Sequence, residues 1–203
     1  GQPPKFLRPF RVLGRLSSNM NFSSPIDELS LAALKRDCRR TQERVYKTFS
    51  PAAWSLAMRL SGCEAQAWDA VQAGFVKAFE KVSQLREPGR FGAWLKRIIV
   101  NQVMDQHRQR FEALPEGGED DASESPNHDQ RMDLERALGR LEPLDRTVVW
   151  LHDAEGFTHA EIAEFAGQTP SWSKTRLSRA RARLRPFLDP GLSAVKSAGG
   201  SSA

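Results

Sequence analysis

Residues 156–188 read GFTHAEIAEFAGQTPSWSKTRLSRARARLRPFL, and this stretch decides the fold. Thr158 followed three residues later by Glu161 is a capping box, and Ile162, Ala163 and Ala166 follow at helical spacing. Gly167 supplies the left-handed exit that a helix end requires. Thr169 before Pro170 restarts a helix, because proline in the first turn loses no hydrogen bond. Two helices joined by so tight a turn follow the helix-turn-helix plan, whose second helix enters a DNA major groove. In that second helix Leu177, Ala180 and Leu184 form an apolar stripe. Lys174, Arg176, Arg179, Arg181, Arg183 and Arg185 surround it, and no acid occurs before Asp189. A solvated helix face usually mixes charges; a face of one sign points to a polyanion.

Outward from this motif, the charge is unevenly spread along the 203 residues. Residues 1–25 carry Lys5, Arg8, Arg11 and Arg15 and no acid; residues 26–110 hold 15 Lys/Arg against 9 Asp/Glu. Residues 111–130 carry seven acids and no Lys or Arg, and residues 131–203 hold 11 cations against 9 acids. Two basic blocks flanking an acidic connector suit polyanion-binding modules joined by a spacer. Cys38 and Cys63 are far apart, which suggests reduced thiols in a cytoplasmic protein rather than a disulfide framework. The four histidines have no metal-ligand spacing, so neither a metal nor a cofactor is expected. No apolar run is long enough for membrane insertion. No phosphate loop or nucleophile motif argues for an enzyme. Met20 offers an alternative start, which would leave residues 1–19 outside the native chain, so residues 1–25 read as a basic tail.

Period-two alternation is absent, so the chain reads as all-α: two small helical domains joined by an acidic flexible linker. In the first domain, 26–110, a long helix is expected over 26–49, with Leu31, Leu34, Cys38, Val45 and Phe49 on its apolar side. Pro51 opens a second helix ending at Gly62. A third over 64–85 repeats Trp68, Val71, Phe75, Phe79 and Val82. After the Pro88-Gly89 break, a fourth over 91–110 buries Trp94, Leu95, Ile98 and Val103. Residues 111–130 form the linker. In 131–188, Leu134, Ala137, Leu138 and Leu141 line one helix and Val148, Val149 and Leu151 the next, beneath the helix-turn-helix; 189–203 is a tail.

Several of these segments together resemble the extracytoplasmic-function (ECF) group of bacterial sigma factors. Residues 69–79 (DAVQAGFVKAF) look like the family's DLVQEVFLKAW. The pattern Phe91, Trp94, Leu95, Ile98, Asn101, Asp105 and Arg108 is similar to FxxWLxxIxxNxxxDxxR. Residues 141–146 (LEPLDR) resemble the LPxxxR opening, Phe157-Thr158 with Glu161-Ile162-Ala163 matches (L/F)(S/T)xxEIA, and residues 174–180 (KTRLSRA) are similar to KSRLxRA.

The resemblance implies a transcription-initiation subunit whose partners are core RNA polymerase and promoter DNA. Asp69, Gln72, Phe75 and Lys77 would bind the polymerase. Arg90, Lys96, Arg97, Asn101 and Arg108, with the loop 84–90, would take the promoter element near the start site. Ser171, Trp172, Lys174, Thr175, Arg176, Ser178, Arg179 and Arg183 would read the distal element. The family's docking helix usually carries more carboxylates; Trp68 and Ala73 stand where acids are common. Either Trp68 and a divergent contact compensate, or a phosphate on Ser61 restores that charge, which would make a regulatory kinase a further partner; an anti-sigma factor is the partner that the resemblance itself implies. The rival readings are a sigma-like decoy that binds an anti-sigma factor and a plain helix-turn-helix repressor.

Overall fold

The computed structural model describes residues 22–113 and 136–188, which fall in two compact units. The basic tail before residue 22, the segment 114–135 with nearly all of the expected linker, and the tail after 188 lie outside the described residues. Every regular element among the described residues is helical, as an all-α chain requires.

In the first unit, α1 (Glu28–Lys35) is capped by Asp27, whose carboxylate accepts from the Ser30 N–H at 2.6 Å. The helix expected over 26–49 breaks at 36–38, where Asp37 is left-handed at φ 57° and the Cys38 N–H turns back to the Ala33 carbonyl at 3.0 Å. Asp37 is one of the few residue types that enter this region without glycine's freedom, and its carboxylate accepts from Gln42 Nε2 at 2.6 Å. Cys38 is therefore exposed beside the break instead of lying on an apolar face.

Helix α2 (Arg39–Ser61) runs straight through Pro51, which was expected to open a new helix. An interior proline costs about 3 kcal/mol. Here the flanking Phe49, Ala53, Leu56, Ala57 and Leu60 are all essentially fully buried, and full burial of one such large side chain contributes about 1.5–3 kcal/mol, so packing carries the helix across. It ends at Gly62, left-handed at φ 70°. Helix α3 (Glu64–Lys81) closes in a 3-10 turn, Val82–Gln84, and a second such turn, Pro88–Arg90, leads into α4 (Phe91–Ala113).

Helices α2, α3 and α4 pack around Phe49, Val71, Phe91, Leu95, Ile99 and Val100, with the Phe49 and Phe91 rings 5.2 Å apart. Gly74 lets α3 approach α4: a Cβ there would stand 2.4 Å from Ile99 Cδ1. At the start of α4 the contact is tighter still, because a Cβ on Gly92 would meet the Phe22 carbonyl oxygen at 1.7 Å. The segment ahead of α1 is thus seated across α4, with Lys96 Nζ 5.5 Å above the Phe22 ring.

The second unit begins with a helical turn at 136–139, then α5 (Pro143–Val149), which continues as a π-helical turn, Trp150–Ala154. Helix α6 (His159–Ala166) carries both halves of the Thr158–Glu161 capping box and exits at Gly167, φ 63°. Helix α7 (Pro170–Leu188) starts where the Thr169 hydroxyl accepts from the Trp172 N–H at 3.2 Å. Val148, Leu151, Ile162, Leu177, Ala180 and Leu184 close this second core.

Gly92→Ala is expected to destabilise the first unit by about 1–3 kcal/mol through overpacking against Phe22, despite alanine's better helix propensity. Urea unfolding checks it, with Gly139→Ala as the control, since nothing lies within 4 Å of a Cβ built there.

Candidate nucleic-acid and polymerase interfaces

Helix α7 buries Ser173, Leu177, Ala180 and Leu184. At about 100° per residue this leaves Ser171, Lys174, Thr175, Ser178 and Arg179 on the outward side, and all five are exposed. The buried stripe and the exposed face are those the sequence indicates, but the arginines divide. Arg176 turns inward: its Nη1 lies 2.7 Å from Asp145 Oδ1 and 3.0 Å from Glu142 Oε2. Arg183 is largely exposed yet reaches Asp145 Oδ2 at 3.4 Å. Arg181 Nη2 lies 2.5 Å from Asp153 Oδ1. Trp172 is half-buried, with the Arg176 guanidinium 5.3 Å over its ring.

Ser173 has no solvent exposure, and a buried hydroxyl needs a partner. It finds His159 Nδ1 at 3.0 Å, from the first residue of α6. His159 stacks on His152 with centroids 4.5 Å apart, and His152 Nδ1 lies 2.9 Å from Asp153 Oδ1. One polar chain, Ser173–His159–His152–Asp153–Arg181, thus ties both helices of the motif to the π turn. The sequence gives no sign of it, because neither histidine stands in a motif.

In the first unit, Arg97, Asn101 and Arg108 fall on one stripe of α4, with Lys96 displaced around the helix toward Phe22. Arg108 pairs with Asp105, one turn back. Arg90 donates to Glu87 Oε2 at 2.6 Å within the loop 84–90. Buried Leu85 and Phe91 anchor that loop, while Gln84, Arg86, Glu87, Gly89 and Arg90 are exposed.

On α3, Asp69 and Gln72 are exposed and Lys77 is half-exposed. Phe75 departs from the expectation of a surface contact: it is 3% exposed and packs on Tyr46 and Phe79 at 4.8 and 5.9 Å. Its place in the motif is a core place, on the face opposite Asp69. The outward face instead adds Ala73, exposed Val76 and Glu80, reached from Asp69 at steps of four, three and four residues. That spacing was available in the sequence.

Trp68, 41% exposed, flanks this face and leans on Trp54 at 6.1 Å. Ser61 also departs from expectation. It is buried; its hydroxyl donates to the Cys63 carbonyl at 3.1 Å and accepts from the Cys63 N–H at 3.3 Å. A hydroxyl closing the α2–α3 turn is not presented to a kinase, and a phosphate there would have to be buried. Ser61 is thus a buried turn hydroxyl rather than the expected phosphorylation site.

Burial, and then His152, Lys174 and Arg181, hold the His159 imidazole below its ordinary value of 6.5, with Asp153 opposing. As pH falls through that value the unfolded chain therefore takes up the proton first, and this contribution to stability is lost. Thermal melts at about pH 7.5 and about pH 5.5 are expected to show a fall in stability that His159→Gln reduces.

The family model for Sigma-70 region 2 matches residues 45–111, and that for Sigma-70, region 4 matches residues 131–184. The ECF RNA polymerase sigma factor SigE of Mycolicibacterium smegmatis is 35% identical over 178 residues, covering 82% of this chain and 66% of that protein, just under two thirds of its length. ECF RNA polymerase sigma factor SigM of Mycobacterium tuberculosis is 31% identical over 137 residues, 66% of this chain and 69% of that one. Among solved structures, the sigma factor RpoE from Bartonella quintana, crystallised with the anti-sigma factor NepR, is similar at a TM-score of 0.50 and 27% identity, over 72% of this chain and 96% of that chain. Two sigma-70 regions in order, with relatives at this level, place the family beyond the motif resemblance: the chain belongs to the ECF RNA polymerase sigma factors.

Proposed function

We propose that the chain is an alternative sigma factor that binds core RNA polymerase and directs promoter-specific initiation in the cytoplasm. The observation that carries this is the pairing, on one chain, of a capped helix-turn-helix with an exposed basic face and a separate unit with an exposed α3 face. A repressor would need only the first, and a decoy would not need the cations of α7.

Three surfaces divide the work. The face of α3 carrying Asp69, Gln72, Ala73, Val76 and Glu80, flanked by Lys77, meets the polymerase. Its mix of two carboxylates with apolar surface suits docking in which burial supplies affinity and charge supplies orientation. Arg97, Asn101 and Arg108 on α4, with Lys96, Arg90 and the exposed loop, take the promoter element near the start site. The cations hold phosphates, and the loop offers backbone and side-chain groups to an unstacked base. Ser171, Lys174, Thr175, Ser178 and Arg179 on α7 face the distal element in the major groove, hydroxyls and cations being suited to base edges and phosphates alike. An anti-sigma factor is the expected regulator, as in the Bartonella quintana complex.

Run-off transcription with core polymerase on genomic fragments tests the proposal, and promoter-specific transcripts that require the chain are the expected outcome. Asp69→Lys is expected to weaken core binding by about tenfold, with the loss largest at low salt, since it reverses a charge on the docking face. No transcript above the core-only background would sink the reading.

A further inference from the structure

The three arginines of α7 that reach buried acids are not spread at random around the helix. Counting about 100° per residue from the mean direction of Ser173, Leu177, Ala180 and Leu184, Arg176 lies about 70° to one side of the buried stripe and Arg181 about 70° to the other. Arg183 sits a little beyond Arg176 on the same flank. Each flank meets one buried carboxylate: Asp145 for Arg176 and Arg183, Asp153 for Arg181. Both acid side chains are only 5% exposed. The two carboxylates belong to one continuous element, α5 and its π turn, eight residues apart.

The apolar part of that stripe, Leu177, Ala180 and Leu184, by itself fixes the roll of the helix loosely. Leucine and alanine can slide over one another with little change in buried area, whereas a buried carboxylate left unpaired is expensive. Rolling α7 in either direction pulls one arginine off its acid. Two such pairs on opposite flanks therefore hold the helix against rotation both ways. Near-parallel contacts from Arg181 Nη2 and Nε to the two oxygens of Asp153, at 2.5 and 3.3 Å, add direction as well as attraction.

We infer that Asp145 and Asp153 form a roll clamp on the recognition helix, and that Arg176 and Arg181 are positioning residues rather than DNA contacts. By fixing the roll they set which side chains, Lys174, Thr175, Ser178 and Arg179, face the groove. The inference rests on the proposed role of α7 at the distal element and deepens it. It separates residues of the same type on the same helix: Arg179 carries charge to DNA, and Arg176 carries it to Asp145.

The separation can be read from salt dependence. Each phosphate neutralised contributes about 0.9 to the slope of log affinity against log salt. The probe is a duplex selected from a randomised pool by holoenzyme assembled from the full chain and core polymerase, compared with the same duplex scrambled at its selected bases. Arg179→Ala is expected to reduce the slope by about 0.9. Arg176→Met is expected to keep the wild-type slope but to lower discrimination between selected and scrambled duplex at least about fivefold, because base-facing groups lose their fixed aim.

A slope for Arg176→Met reduced by about 0.9 would make Arg176 a DNA contact and overturn the clamp. Slope and discrimination both unchanged would reduce the pair to a fold element and overturn it equally. Should Arg176→Met fail to fold, Asp145→Leu with Arg176→Met removes both charges together and carries the same expectations. If no duplex is enriched, or Arg179→Ala leaves the slope unchanged, the distal-element reading itself fails, and the clamp with it.

Discussion

A buried carboxylate has to be answered by a cation, and in the second unit that requirement organises the rest. Asp145 and Asp153 are drawn into the domain by a helix whose other residues, Val148, Val149 and Leu151, must be inside. Taking an ion from water costs several kcal/mol even after relaxation, so the helix above must return positive charge at the right places. A helix rich in arginine does this and still has cations left for its outer side. The same composition therefore serves two ends: inward arginines complete the fold, and outward ones give the surface its sign. The π turn belongs to this arrangement, since it carries Asp153 and, through His152 and His159, the bond to buried Ser173.

The first unit is governed by close approach rather than charge. Four small residues on one side of α3, Ala67, Ala70, Gly74 and Ala78, are buried and let neighbouring helix backbones come close. Once α3 is pressed inward along that face, its opposite side has to point out, carrying Asp69, Gln72, Val76 and Glu80 with it. The outward face proposed to meet the polymerase is thus a consequence of where the small residues lie. Phe75 belongs to the inner side by the same geometry, whatever its place in a family motif.

How much of this the sequence reveals depends on how local the cause is. The capping box at Thr158 and Glu161, the exit at Gly167 and the stripe Leu177, Ala180, Leu184 act within a few residues of one another, and each is present as read. The break at 36–38 carries no plain sequence signal, because the left-handed residue there is Asp37 and not a glycine. Pro51 shows the opposite case: its local penalty is real, but Phe49 beside it packs on Phe91, far along the chain. Arg176 could not be placed at all from its neighbours. Its partners lie 31 and 34 residues away, and a run of like charges on one helix carries no mark of which members face inward.

That last point has a general form. A one-signed helix is usually read as a uniform electrostatic surface, with each cation a candidate contact. In a small helical domain the same helix must also supply the core, and a flank residue within about 70° of the apolar stripe is near enough to reach a buried acid on the supporting helix. Positive charge is then sorted by angle. Residues opposite the stripe are left to the surface, and residues beside it are within reach of the fold's buried acids. In α7, Ser173 and the three apolar positions define the stripe within a narrow arc, and both flanks meet carboxylates. Arg183, farther from the stripe than Arg176 and largely exposed, stands at the boundary: its 3.4 Å approach to Asp145 is long enough to be exchanged for a phosphate without leaving that acid unpaired, since Arg176 stays behind.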